Sequence, residues 1–155
     1  MVKRKNLFSI AHDHFHGLMV AQMIKKGGQV LDGMPSTIDE KVRFTIHFYE
    51  QELVNHFYIE ENILLPIVKS FTHKVDKHLD KMTEEHNEIN MLVKSLKENE
   101  NLDKKLDKLG RKLEAHVQME EWIMFPAIQD ALDDEELKKL ANELKENGYE
   151  NVYKY

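Results

Sequence analysis

Two eleven-residue stretches sixty positions apart, HFYIEENILLP (His56 to Pro66) and HVQMEEWIMFP (His116 to Pro126), share the pattern H-x-x-x-E-E-x-I-x-x-P. Every other position differs, so the chain reads as two copies of one unit in which five residues are held and the rest drift. With about 100° per residue in an α-helix, the histidine and first glutamate of each copy lie about 40° apart on one face. Apolar residues share that face: Leu53, Ile59, Ile63 and Ile67 in the first copy, Leu109, Met119, Ile123 and Ala127 in the second. The second glutamate, Glu61 or Glu121, points about 140° away from the histidine and is expected at the surface.

The surrounding sequence is helical in pattern. Gly27-Gly28 closes a first amphipathic run, and GMPSTIDE (Gly33 to Glu40) reads as loop, cap and acidic first turn of a second. The second run extends from about Ile38 to Phe71, a third from Val75 to Leu96, and a fourth from Leu102 to Leu132. Leu132 to Gly148 forms a short fifth helix, expected to be peripheral, and nothing reads as a strand. At 155 residues the chain has the size of one domain, able to bury a core without staples. The expected fold is all-α: an antiparallel up-down four-helix bundle over residues 6–132, with a fifth helix and a tyrosine-rich tail over 133–155. A pseudo-twofold axis should relate the first two helices to the second two.

Composition removes several classes of chemistry. With no cysteine, disulfides, thiolate metal sites, iron–sulfur ligation and cysteine nucleophiles are excluded. A net charge of -6 argues against nucleic acid as a partner, since phosphate is bound by a basic face. No segment approaches the roughly 18 apolar residues that a membrane span needs. The opening MVKRKNLFSIAHDH starts like a signal peptide, but His12, Asp13 and His14 end the apolar run too early, so cytoplasm is the expected location. The oligomeric state is open.

An ionised carboxylate inside a bundle costs several kcal/mol, roughly, unless it is paired or holds a metal. Placing a histidine and a carboxylate on the core face twice therefore calls for positive charge inside. The third run offers His86, with Leu79, Met82, Ile89, Val93 and Leu96 on the same face. In the first run, His14 shares its face with Leu7, Ile10, Ala11, Leu18 and Ala21, whereas His12 and His16 fall on the other side as an expected exposed pair. His47 and His73 lie off the ligand faces, and His78 sits at the edge of the third run's stripe. Glu52 shares a face with His56 and Glu60, but its counterpart in the second copy is Lys112. Tyr49 is expected to be core.

These residues, with DHFHGL (Asp13 to Leu18), EEHNEI (Glu84 to Ile89) and the paired H-x-x-x-E motifs, resemble the hemerythrin-like, or HHE cation-binding, family. The resemblance implies an antiparallel four-helix bundle around a non-haem di-iron centre. It also implies His14, His56, His86 and His116 as terminal ligands, with Glu60 and Glu120 as bridging carboxylates. Imidazole and carboxylate without thiolate suit iron, manganese or zinc independently of the resemblance. One position departs: oxygen-carrying hemerythrins have a second histidine four residues after the one on the third helix, and here Asn90 stands there. The four-histidine set is closer to that of bacterial iron–sulfur-repair relatives, whose cysteine-containing N-terminal segment this chain does not have.

The function implied is a di-iron protein that binds or senses dioxygen, nitric oxide or peroxide, or buffers iron. The alternatives are a di-iron enzyme reducing peroxide or nitric oxide, and a zinc-bound or metal-free interaction module. Pro66 and Pro126 each follow the ligands by about two turns and are expected either to kink the helix over the site or to stop it.

Overall fold

The computed structural model describes residues 12–29 and 32–148, with the backbone alone for His12 and Asp13. The start of the bundle near residue 6, the side chain of His12 and the tail after residue 148 lie outside the described residues. Those described are helical, without strands. Helix α1 is His12–Ile24, α2 spans 38–71, α3 is Asp76–Ser95, α4 spans 102–131 and α5 is Asp134–Glu146.

Local chemistry sets the starts. The Thr37 side chain accepts a hydrogen bond from the Glu40 N–H and caps α2, with Asp39 and Glu40 in the first turn. Asp133 and Glu136 form a reciprocal capping box at the start of α5. Neighbouring helices then touch in opposite residue order. Between α2 and α3 the contacts run Lys69–Asp80, Glu61–His86, Tyr49–Asn90. Between α3 and α4 they run Lys105 to Ser95, Lys112 to Glu88, His116 to Glu85. Helix α1 meets α2 through His14–His56 and His16–Glu52, and α4 through His14–Glu121 and Lys25–Glu114. These are antiparallel pairings in a four-helix bundle.

The apolar interior falls into two clusters on either side of a polar layer. One contains Val20, Ala21, Met23, Phe48, Leu53, Phe57, Ile89, Leu109 and Leu113; the other contains Leu64, Val68, Leu79, Met82, Met124, Ile128 and Leu140. The fifth helix is less peripheral than its sequence reads, because Leu137, Leu140 and Leu144 are buried in the second cluster. Helices α1 and α4 approach so closely that a Cβ on Gly110 would lie 2.9 Å from the Ala21 carbonyl oxygen and 2.9 Å from the Lys25 nitrogen. Among the described residues no helix is long and apolar enough to cross a membrane.

The long helices α2 and α4 are not uniform. Each changes to π-helical winding directly at its glutamate doublet, over Glu60–Leu64 and Glu120–Met124, and α2 does so again at Tyr49–Leu53. The Leu65 N–H donates to the Glu60 carbonyl and the Phe125 N–H to the Glu120 carbonyl, five residues back in both cases. Proline comes next in each copy. Having no N–H, it suits the step at which the ladder returns to α-helical spacing. Neither proline stops its helix, which continues as Leu65–Phe71 or Phe125–Ala131.

This winding also corrects the expected core stripe. Regular α-helical spacing places Ile63 and Ile123 inward, but Ile123 is 51% exposed and Ile63 only half-buried. Leu64 and Met124 take the core positions, each at 0% exposure. One residue of extra winding has moved the stripe along.

Candidate metal centre

Six of the buried polar side chains belong to the expected set: His14, His56, Glu60, His86, His116 and Glu120, none more than 3% exposed. They come from α1, α2, α3 and α4 and meet between the two apolar clusters. His14, His56, Glu60 and Glu120 form one group whose donor atoms lie within 4.8 Å of one another; Glu60, His86, His116 and Glu120 form a second. Both groups use the same two carboxylates.

The contacts inside this layer are short. Glu60 Oε1 lies 3.3 Å from His56 Nε2 and 3.2 Å from His86 Nε2. Glu120 Oε1 lies 3.2 Å from His116 Nε2 and 3.5 Å from His14 Nε2. His14 Nε2 and His56 Nε2 are 2.9 Å apart. Even so, both oxygens of Glu60, both oxygens of Glu120 and the Nε2 atoms of His86 and His116 make no hydrogen bond. A buried polar atom left unsatisfied costs roughly 1–3 kcal/mol, so six in one place need a common partner. Adjacent donors on one octahedral ion with bonds of about 2.1 Å are about 3.0 Å apart, close to the separations seen here. The donor set, all imidazole and carboxylate, fits iron, manganese or zinc.

The opposite ring nitrogens carry the second half of the design. Glu121 Oε1 accepts from His14 Nδ1 at 2.9 Å, Glu61 Oε1 from His86 Nδ1 at 3.1 Å, and Glu85 Oε1 from His116 Nδ1 at 3.2 Å. A carboxylate on Nδ1–H fixes the tautomer, turns the ring, and leaves the Nε2 lone pair facing inward. Glu61 and Glu121 are therefore not the free surface residues that helical spacing alone implies. Each reaches across to a neighbouring helix and is only 33% or 15% exposed. Phe57 packs flat on His86, with centroids 3.9 Å apart and planes 15° off parallel, and edge-on to His116.

The charges follow from this packing. Burial disfavours a proton on His14, but the carboxylates of Glu120 and Glu121 outweigh it and raise its pKa from 6.5 to about 9. At His116 burial is likewise overcome, chiefly by Glu120 and Glu85, again to about 9. Burial would raise Glu60, yet His56 and His86 hold it well below 4.5. For Glu85, burial is outweighed by His116 and Lys112, and the carboxyl is lowered; for Lys112, burial is outweighed by Glu88 and Glu85, and the ammonium is raised.

The remaining sequence candidates stand apart from both groups. His16 Nδ1 donates to Glu52 Oε1 at 2.7 Å across the α1–α2 seam, so His16 is half-buried and paired rather than exposed, and Glu52 is engaged there. The Tyr49 hydroxyl donates to Asn90 Oδ1. His73 is exposed on Asp76. His47 is exposed and His78 half-buried, and both belong to neither group. Sequence reading missed Glu61, Glu85 and Glu121 as carboxylates that hold the rings. The doublet E-E, repeated in both copies, was the available signal for two of them.

The family model for the hemerythrin HHE cation-binding domain matches residues 12–128, from the start of α1 almost to the end of α4. No curated protein and no solved structure matches the chain.

Proposed function

From the premise that this chain belongs to the hemerythrin HHE cation-binding family, we propose that it is a non-haem di-iron protein that binds or senses dioxygen, nitric oxide or peroxide. The observation that carries the reading is the sharing of Glu60 and Glu120 by both buried donor groups. Two carboxylates common to two sets of histidines are what a bridged pair of ions requires. In this reading His14 and His56 would hold one ion and His86 and His116 the other, with Glu60 and Glu120 shared by both. A pair of iron ions held there would supply redox electrons and the affinity for a small molecule.

The chain's own residues do the rest. Glu121, Glu61 and Glu85 keep a proton on Nδ1 of three histidines, so each Nε2 is available to a cation. Phe57 covers His86 and, with Leu53, Leu109 and Leu113, keeps water from one side of the layer. Met82, Met124 and Leu64 do so from the other.

The test is metal analysis of freshly purified protein, with absorption spectra recorded before and after azide. Two irons per chain and azide-sensitive charge-transfer bands are expected; a single tightly held zinc would remove the di-iron reading. Peroxide turnover with a reductant separates binding from catalysis, because a rate no faster than that of free iron leaves a binding or sensing protein.

A further inference from the structure

The internal repeat pairs Glu52 of α2 with Lys112 of α4, since each stands four residues before the candidate histidine ligand of its helix. The two side chains do opposite things. Glu52 turns to α1 and accepts from His16 at 2.7 Å. Lys112 turns to α3, where its Nζ lies 2.6 Å from Glu88 Oε2 and 3.6 Å from Glu85 Oε2. Glu85 uses its other oxygen to hold His116 Nδ1. The carboxylate behind His116 thus divides its charge between an imidazole and an ammonium. Glu121 and Glu61, behind His14 and His86, pair with no lysine or arginine among the described residues. A groove of about 340 Å³ between α3 and α4, lined by Lys112, Glu84, Glu85 and Glu88, keeps the ammonium in contact with solvent.

We propose that Lys112 is a positioning residue that acts through Glu85 on His116 and makes the two metal positions unequal. The position formed by Glu60, His86, His116 and Glu120 binds its ion more weakly than the one formed by His14, His56, Glu60 and Glu120, and fills second. This inference rests on the two-ion reading above. The physical reason is that a carboxylate on the distal nitrogen of a ligating imidazole raises its donor strength. An ammonium on the same carboxylate takes part of that effect back, and its own charge repels a cation on the His116 side.

The experiment is a calorimetric titration of the chelator-stripped protein with ferrous iron under anaerobic conditions. Wild type is expected to bind in two resolved steps. Lys112→Met should tighten the weaker step by about tenfold and leave the stronger one within about twofold. Lys112→Arg, which keeps the charge, should restore the wild-type titration, and Glu85→Gln should weaken only the second step, by about 10–100-fold. Two equal steps in wild type, or a Lys112→Met titration in which both steps or neither move, overturns the inference while the di-iron reading stands. A wild-type protein that takes up no iron overturns both.

Discussion

Glu61 and Glu121 explain why the repeated motif carries two glutamates and not one. The first of each pair turns into the polar layer, and the second crosses to a ring on the adjacent helix. The six inward residues were legible because a buried charge on an apolar stripe is costly and therefore informative. The carboxylates behind the rings were not, because their partners lie 25 to 107 positions away and periodicity within one helix says nothing of its neighbour. His116→Ala is expected to lose metal, and His16→Ala, whose ring meets Glu52 and Phe15 and belongs to neither donor group, to retain it; elemental analysis of the purified variants decides both. Glu121→Ala should weaken metal binding by about 10–100-fold without abolishing it, read by competition with a chromogenic chelator. Protons compete for the same nitrogens. His14 and His116, at about 9, stabilise the metal-free fold fully below 6.5, and that contribution is lost as pH rises through 9. Glu60, held below 4.5, contributes above that value and loses its contribution as pH falls further. The chelator-stripped protein should therefore melt highest between about pH 4.5 and 6.5, and metal affinity should rise with pH up to about 9; a thermal scan across pH shows whether it does.

At the scale of the helix, glycines, prolines and caps marked the elements well. The expected bounds for α2, 38–71, are those observed, because Thr37 caps one end and the chain turns extended at Thr72 at the other. Periodicity failed within that helix, at the π-helical turns. A single residue of extra winding changes which side chains face inward but leaves no mark in a hydrophobic pattern read at fixed spacing. The repeated proline was the one visible trace. Gly110 went unremarked for a similar reason: a glycine inside a helix reads as a weakness until the crossing helix is in view. Alanine favours helix by about 1 kcal/mol over glycine, yet Gly110→Ala is expected to destabilise, because its methyl meets α1 backbone at 2.9 Å. Overpacking of about 1–3 kcal/mol would lower the midpoint of thermal unfolding by several degrees, roughly 2–4 °C per kcal/mol at this size.

For the whole molecule, a cation held in the polar layer would make stability and binding one quantity. A ligand at 1,000 times its Kd adds about 4 kcal/mol to a fold that binds it only when native, so saturating metal should raise the melting midpoint by roughly 10 °C. The up-down arrangement itself was readable from short connections and amphipathic runs, while the seating of α5 was not, because three leucines in a charged segment do not name the surface they cover. The placement of six ionisable groups as a stratum between two greasy compartments has a mechanical consequence. With a cation held there, chelation would take away the rivet, and the end carrying Val20 and Leu109 would then open on its own schedule from the end carrying Val68 and Leu140. Amide exchange in deuterated water should report one common protection factor for both ends of the loaded protein and two distinct ones after the cation is stripped.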